Sequence, residues 1–175
     1  MKYILTLLML MSLETTLINF SETNEIPQWQ IVNDGVMGGL SKSTIQRTEE
    51  GTAVFSGRVS LENNGGFASV QRRVDITNVS SYKHVQIKLK GDQKDYQFRL
   101  KHDASDYASY IQSFSTSGEW EIINLKIEDF YPSFRGRKLP MPNFTFDQIE
   151  QITFLISNKV KEDFALEVAW IKLVD

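Results

Sequence analysis

"HVQIKLKGDQKDYQFRLK", residues 84–101, contains two runs in which apolar and polar side chains alternate. The apolar positions are Val85, Ile87, Leu89, Tyr96, Phe98 and Leu100. A strict period of two is typical of a β-strand that buries one face and exposes the other. The Gly91-Asp92 pair between the runs is a turn signal. This stretch therefore predicts two strands, each with one face in a hydrophobic core.

Similar strand-like runs recur along the rest of the chain. Further strand candidates are residues 16–20, 43–47, 53–61, 67–73, 108–114, 120–127, 151–157 and 164–169. One short segment, "TFDQIEQ" at residues 145–151, favours a single helical turn capped by Asp147. Many short strands with almost no helix predict an all-β fold, a sandwich or jelly roll.

The common phase of these strands also predicts which side chains form the core. The predicted core is Trp29, Phe55, Val59, Phe67, Val85, Ile87, Leu89, Phe98, Leu100, Trp120, Phe154, Ile156, Leu166 and Val168. In residues 120–127 the phase changes, because Trp120 and Ile122 are in one register and Ile123 and Leu125 in the other. A β-bulge within this strand would explain the change.

Composition bounds the function. The chain has 175 residues, a formal net charge of −3, a pI near 5.5 and no cysteine. Such a mildly acidic chain has no general attraction for nucleic acid or an anionic membrane, so we expect no nucleic-acid partner. The absence of cysteine excludes disulfides, thiolate catalysis and cysteine-type zinc sites.

The N-terminus is apolar. "MKYILTLLMLMSL", residues 1–13, has one lysine followed by a run of the length of a signal-peptide core, too short to span a membrane. We interpret residues 1–13 as a signal peptide, and the alternative is an uncleaved hydrophobic helix. The signal reading predicts export to the bacterial periplasm or cell envelope, peripheral to the membrane at most. Residues 14–175 are then one domain.

A cluster of glycines follows the first tryptophan, in "WQIVNDGVMGGLSKS" at residues 29–43. Its spacing fits neither a phosphate-binding loop nor a dinucleotide fingerprint, and it has no nucleophile elbow. We interpret the loop as architectural, with glycines supplying positive φ or close backbone approach. Met37 is expected to plug the turn as an apolar side chain.

No catalytic set can be assembled from the remaining residues. The two histidines, His84 and His102, have no motif around them, and "HDASD" at residues 102–106 is more typical of a polar loop than of a metal site. We therefore predict no catalytic residue, metal or cofactor. The longest loop, "YPSFRGRKLPMPN" at residues 131–143, favours either a functional loop or a solvated connection.

Five blocks of sequence carry a resemblance. They are "WQIVNDGVMGGLSKS", "FSGRVSLENNGGFASVQ", "KLKGDQKDYQFRL", "SGEWEIINLKIEDFYPSFRGR" and "ITFLISNKVKEDFALEVAWIKL". In this order they resemble the complex I intermediate-associated protein 30 family, from about Thr16 to the C-terminus. The N-D-G-x-M-G-G-x-S core is the specific part. The chain resembles a stand-alone bacterial member, because it lacks the Arg-rich amphipathic presequence of a mitochondrial protein.

The resemblance implies a galactose-binding-like β-sandwich and, for the mitochondrial members, a non-catalytic role in assembling respiratory NADH:ubiquinone oxidoreductase. We therefore expect a binding module with a protein partner, an assembly intermediate or membrane complex, and not an enzyme. The alternative is a carbohydrate-binding module, since Tyr82, Tyr107 and Tyr110 could stack on sugar rings.

Three segments are expected to contact the partner or ligand. Two are glycine-containing loops whose polar side chains and open backbone offer hydrogen bonds, and the third offers cationic donors. The predicted contact residues are Asn33, Asp34, Met37, Ser41, Asn63, Asn64, Arg135, Arg137 and Lys138.

Overall fold

The computed structural model describes residues 13–22 and 26–175, which form two antiparallel sheets packed face to face. All of the predicted signal segment except Leu13 lies outside the described residues. The strands are β1 (Glu14–Asn19), β2 (Trp29–Ile31), β3 (Lys42–Arg47), β4 (Ala53–Val59), β5 (Ala68–Thr77), β6 (His84–Lys90), β7 (Asp95–Lys101), β8 (Ser109–Ser115), β9 (Trp120–Lys126), β10 (Tyr131–Phe134), β11 (Arg137–Lys138), β12 (Gln148–Ile156) and β13 (Glu162–Val174).

Sheet A has the strand order β3-β4-β13-β6-β9, with β1 beside β13. Sheet B has the order β11-β10-β8-β7-β12-β5-β2. The opening stretch of the sequence crosses between the sheets, because β6 belongs to sheet A and β7 to sheet B. Within the described ranges no helix is long and apolar enough to cross a membrane.

The predicted all-β sandwich is confirmed, and each of the ten predicted strands is present within a few residues of its expected bounds. Alternation of apolar and polar residues predicts these strands correctly because one face of each strand packs into the space between the sheets. The strands that alternation missed are β2, β10 and β11, which have two to four residues each and are too short to show a period. The loop predicted over residues 131–143 is thus partly a short β10–β11 hairpin.

The core lies between the two sheets and contains twelve of the fourteen predicted side chains. Phe67 is only half-buried, and Trp120 is 43% exposed. The predicted bulge that involved Trp120 is wrong, because β9 pairs with β6 in unbroken register. Trp120 and Ile122 instead point outward from sheet A, while Leu125 enters the core. The change of phase in residues 120–127 therefore arises because apolar side chains are exposed on an edge strand.

The predicted helical turn at Asp147 is also wrong, because β12 begins at Gln148. This strand lies between β5 and β7 in the interior of sheet B, and residues 151–156 are buried on both faces. Asp147 accepts hydrogen bonds from the backbone and hydroxyl of Ser80 at 2.9 and 2.7 Å instead of capping a helix. Tertiary pairing in the middle of a sheet here overrides a local capping signal.

Candidate binding site

The glycine loop between β2 and β3 is a tight turn over Asp34–Met37 that ends at Gly38. Gly38 has a φ of +89°, which confirms that a glycine here adopts the left-handed conformation. Gly39 is required for a different reason. A Cβ on Gly39 would lie 2.8 Å from the Cβ of Asp34 and would overlap its carboxyl group. Gly35 has open space around it and an ordinary φ.

Asp34 is completely buried and is the centre of the loop's hydrogen bonding. Its Oδ1 accepts a hydrogen bond from the backbone N–H of Ser41 at 2.9 Å, and its Oδ2 accepts one from the Ser41 hydroxyl. The same Oδ2 accepts from the backbone N–H groups of Gly66 at 2.7 Å and Phe67 at 3.3 Å. Four donors thus converge on one carboxylate, which holds two loops together.

These donors set the charge state of Asp34. Burial by itself raises the pKa of this carboxyl, but the hydrogen bonds from Ser41, Gly66 and Phe67 outweigh it. The pKa of Asp34 therefore lies below its ordinary value, because each donor stabilises the ionised form. Asp34 is an anion at neutral pH, and all of its partners are internal.

The Asp34 network also joins the two sheets. Asp34 follows β2 of sheet B, whereas Ser41 precedes β3 of sheet A. The Ser41 hydroxyl also accepts a hydrogen bond from the backbone N–H of Ser60 at 2.9 Å. Asn33 makes a second link between the sheets, because its Oδ1 accepts hydrogen bonds from the Ser43 hydroxyl at 2.8 Å and from the Ser69 backbone N–H at 3.2 Å. The buried pair Asp34 and Ser41 supports the loop from inside, so the prediction that these two side chains contact a partner directly is corrected.

The side chains that the loop presents to solvent are apolar. We define the loop patch as Val36, Met37, Leu40 and Leu61, which are 72%, 59%, 50% and 46% exposed. The interpretation of Met37 as an apolar plug is therefore wrong, since Asp34 fills the turn and Met37 points outward. Asp34 thus fixes the backbone beneath an exposed apolar surface.

The second predicted loop adjoins the first. Asn63 and Asn64 both have positive φ, at 55° and 59°, in a turn that asparagine tolerates better than most residues. The side-chain amide of Asn63 donates to the carbonyl of Gly38 at 3.2 Å. The structure therefore brings the loops at residues 33–41 and 61–67 together into one surface.

The third predicted segment lies elsewhere. Arg135 and Arg137 are exposed in the β10–β11 hairpin, where Arg135 has a φ of 48° and stacks 5.2 Å from the Phe134 ring. Lys138 lies 5.2 Å from the ring of Tyr131. Because β11 and β2 are the opposite edges of sheet B, this hairpin and the loop patch are separated by the whole width of the sheet.

The predicted sugar-stacking tyrosines do not form a row. Tyr110 is buried in the core, and Tyr82 is half-buried with its hydroxyl bonded to Thr15. Tyr107 is 57% exposed and packs edge-on against Phe134, with ring centroids 5.3 Å apart. The sugar-stacking interpretation therefore fails for Tyr82 and Tyr110, and only Tyr107 lies beside an exposed aromatic side chain.

The outer face of sheet B carries a polar row that the sequence analysis missed. Strand pairing places one side chain from each of six neighbouring strands in line. The row, defined here as the polar row, is Gln30, Gln71, Thr153, Arg99, Ile111 and Tyr131. Ile111 is its one apolar member, Ile111 and Thr153 are buried, and the other four side chains are exposed or half-buried. Their sequence neighbours Val70, Phe98 and Phe154 lie in the core, so the row faces away from it. With strands about 4.8 Å apart, the row extends about 24 Å.

The described residues contain no group of three or more His, Asp and Glu side chains placed to hold a metal ion. His102 lies 3.6 Å from Asp106 and against the ring of Phe146, so it is a packed loop residue. A cavity of about 520 Å³ opens beside His84 and Lys126. Among the groups that line it, Lys126 lies 4.0 Å from Glu128, and Lys83 is paired with Asp175, outside the cavity, at 2.7 Å.

The fold and the N-D-G loop together define an antiparallel two-sheet β-sandwich. The chain belongs to the complex I intermediate-associated protein 30 (CIA30) family, whose model matches residues 18–168. No curated protein sequence matches the chain.

Solved structures with the same fold include carbohydrate-binding modules. The family 11 module of the cellulosomal cellulase Lic26A-Cel5E of Clostridium thermocellum superposes with a TM-score of 0.69 at 16% identity, covering 91% of this chain and 93% of that one. A family 11 module in complex with a β-1,3-1,4-mixed-linked tetrasaccharide gives 0.67 at 16% identity, covering 91% and 94%. A family 29 module gives 0.54 at 11% identity, covering 94% and 93%. At these identities the likeness establishes the sandwich fold and nothing about the ligand.

Proposed function

We propose that this protein is a non-catalytic binding module that holds a subunit of a respiratory membrane complex during assembly, through the loop patch. The observation that carries the proposal is the exposure of four apolar side chains on two loops that a buried carboxylate fixes in place. Family membership also supports the proposal, because the family name describes association with an intermediate of complex I.

The physical argument rests on preorganisation. An exposed apolar surface gains free energy when a partner covers it, and a loop that is already ordered loses little entropy on binding. Met37 adds adaptability, because its unbranched thioether can fill irregular gaps in a partner. A subunit that has not yet met its neighbours exposes apolar surface of its own, and it is therefore the complementary partner.

The proposed binding module catalyses no reaction of its own. Catalysis at neutral pH generally uses an acid, base or nucleophile whose pKa is tuned and which faces a substrate. The one fully buried carboxylate among the described residues, Asp34, is occupied by four internal donors. His102 packs on the ring of Phe146 and lies 3.6 Å from Asp106.

Site-specific photocrosslinking tests this function. With a benzophenone amino acid at Met37, we expect one discrete adduct with a subunit of a respiratory complex, found in the cell-envelope fraction as export of the protein requires. The same probe at the exposed Lys161, beyond β12, is the matched control and should give no such adduct. Equal adducts from both positions, or an adduct only with unrelated proteins, would contradict the proposal.

The carbohydrate-binding alternative is favoured by a separate observation, the polar row on the outer face of sheet B. Its amides carry both donors and acceptors, which suits the hydroxyl groups of sugars. The structural neighbours include a module bound to a mixed-linked tetrasaccharide.

Titration calorimetry with that neutral tetrasaccharide tests the alternative. We expect saturable binding that Gln71→Ala weakens by about tenfold, because it removes one amide from the row. Gln93→Ala, which removes a turn amide away from the row, is the control. Absence of heat with the neutral saccharide would remove this ligand from consideration.

A further inference from the structure

We propose that the outer face of sheet B binds an acidic oligosaccharide, with the carboxylate of a uronic acid residue paired to Arg99. This inference rests on the carbohydrate-binding alternative and names the chemical class of its ligand. It is independent of the loop patch, which lies beyond the β2 edge of the sheet.

Arg99 is held in place without a counter-charge. Its Nε and Nη2 atoms donate to the Oε1 of Gln97 at 3.1 and 2.6 Å. Gln97 is two residues earlier on the same strand, so both side chains lie on the outer face. Within residues 13–22 and 26–175, no aspartate or glutamate forms an ion pair with Arg99. The fork of the guanidinium therefore retains donors that can bind a carboxylate in a bidentate manner.

The environment of Arg99 is costly for an isolated cation. Burial lowers the pKa of Arg99 to about 10, and the largest opposing effect is the nearby Tyr131 hydroxyl. The Arg99 guanidinium is still charged at neutral pH, so the outer face of sheet B carries a positive charge that is poorly solvated by water. An anion placed against it restores the lost stabilisation without a large further desolvation cost to Arg99.

Neighbouring charges reinforce this preference. Arg73 and Lys101 lie in the adjacent row, on either side of Gln151, so three cations occupy two neighbouring rows. The Lys101 ammonium already donates to the Asp106 carbonyl, and the nearby carboxylates of Asp106 and Asp103 offset part of its positive charge. The carboxylate on the same face of β7, Asp95, lies at the far end and accepts from Ser115 at 2.5 Å.

The class of ligand follows from what a sheet face can offer. A peptide that joins a sheet adds to an exposed edge, where backbone donors and acceptors are free. The polar row is on a face, where only side chains are presented, and it consists mainly of amides and hydroxyls around Arg99. Such groups match the ring hydroxyls of a saccharide chain, and Arg99 supplies the partner for its carboxylate.

Calorimetry with three probes tests the inference: tetragalacturonate, its methyl ester, and the neutral mixed-linked tetrasaccharide. We expect tetragalacturonate to bind most tightly and its affinity to fall as salt rises. In Arg99→Gln this affinity should fall by about tenfold to a hundredfold, the value of a charge-assisted pair. Arg99→Lys keeps the charge without the fork and should be intermediate. Lys161→Gln removes one exposed charge elsewhere and should bind as the wild type does.

Two results separate this inference from the function on which it rests. Neutral tetrasaccharide binding without a preference for tetragalacturonate would overturn the acidic specificity and leave the carbohydrate alternative standing. No binding of any of the three probes would overturn both. An Arg99-dependent affinity for a poly-glutamate peptide that equals the affinity for tetragalacturonate would also overturn the saccharide assignment. Thermal melting of each variant shows whether a loss of affinity reflects unfolding.

Discussion

Replacing Asp34 with asparagine is expected to lower the free energy of unfolding by about 3 kcal/mol or more at neutral pH. The substitution keeps the volume but turns one carboxylate oxygen into an N–H donor. Both oxygens face N–H or O–H donors from Ser41, Gly66 and Phe67, so either orientation of the amide sets a donor against a donor. The buried donors would lose a charged acceptor that water cannot replace.

The same substitution should change how stability depends on pH. The pKa of Asp34 is lowered in the folded protein, so its contribution is complete above the unfolded pKa, near 3.9, and is lost as pH falls through the folded pKa. The difference in unfolding free energy between wild type and Asp34→Asn should therefore be constant above about pH 5 and shrink below about pH 4.

Denaturant unfolding at a series of pH values measures both effects. Asp163→Asn is the matched control, because Asp163 is an exposed carboxylate paired with Arg58 at 2.6 Å. Solvent screens an exposed ion pair, so this variant should unfold at nearly the same denaturant concentration as the wild type. A small effect of Asp34→Asn with the same pH profile as the wild type would show that Asp34 does not hold the loops together.

Gly39→Ala is expected to destabilise the protein by about 2–3 kcal/mol, as overpacking of a filled site does. The added methyl group would overlap the Asp34 carboxyl and push it away from its donors. Gly38→Ala should cost about 1 kcal/mol, because alanine must adopt a φ of +89°. Chemical denaturation of the variants ranks these costs.

Gly35→Ala is the internal control for both. A methyl group on Gly35 meets nothing within 4 Å, and the φ there is ordinary, so stability should change little or increase slightly. If all three alanine variants lost the same stability, the loop would be sensitive to chain stiffness in general and not to the space around Asp34.

The sequence predicts most of the sandwich because period-two alternation is a local property that burial of one face enforces. The exceptions have physical reasons. Trp120 and Ile122 are apolar but lie on the outer side of an edge strand, so their hydrophobicity does not show which face of the strand is buried. Residues 145–151 have a local capping pattern, but pairing of β12 on both sides overrides it. Local rules fail where a strand's partners decide its structure.

The candidate binding surfaces are harder to predict from the sequence. The sequence predicts that the N-D-G loop is architectural, but local sequence cannot show that Asp34 binds the backbone of Gly66 and Phe67, more than thirty residues away. The polar row cannot be predicted for the same reason, because only two of the six strands that it joins, β7 and β8, are consecutive in the sequence. The signal was present as polar residues alternating with core residues, and only the strand order aligns them.

The position of β13 in sheet A has a consequence for how the chain acquires its fold. This strand is the last of the thirteen, yet it pairs with β1, β4 and β6. A nascent chain that ends before Glu162 can pair β3 with β4 and β6 with β9, but nothing joins these two ribbons. Two-stranded ribbons are marginally stable alone. Sheet A can therefore close only after Glu162–Val174 has been synthesised, whereas every strand of sheet B is already present once residue 156 has been made.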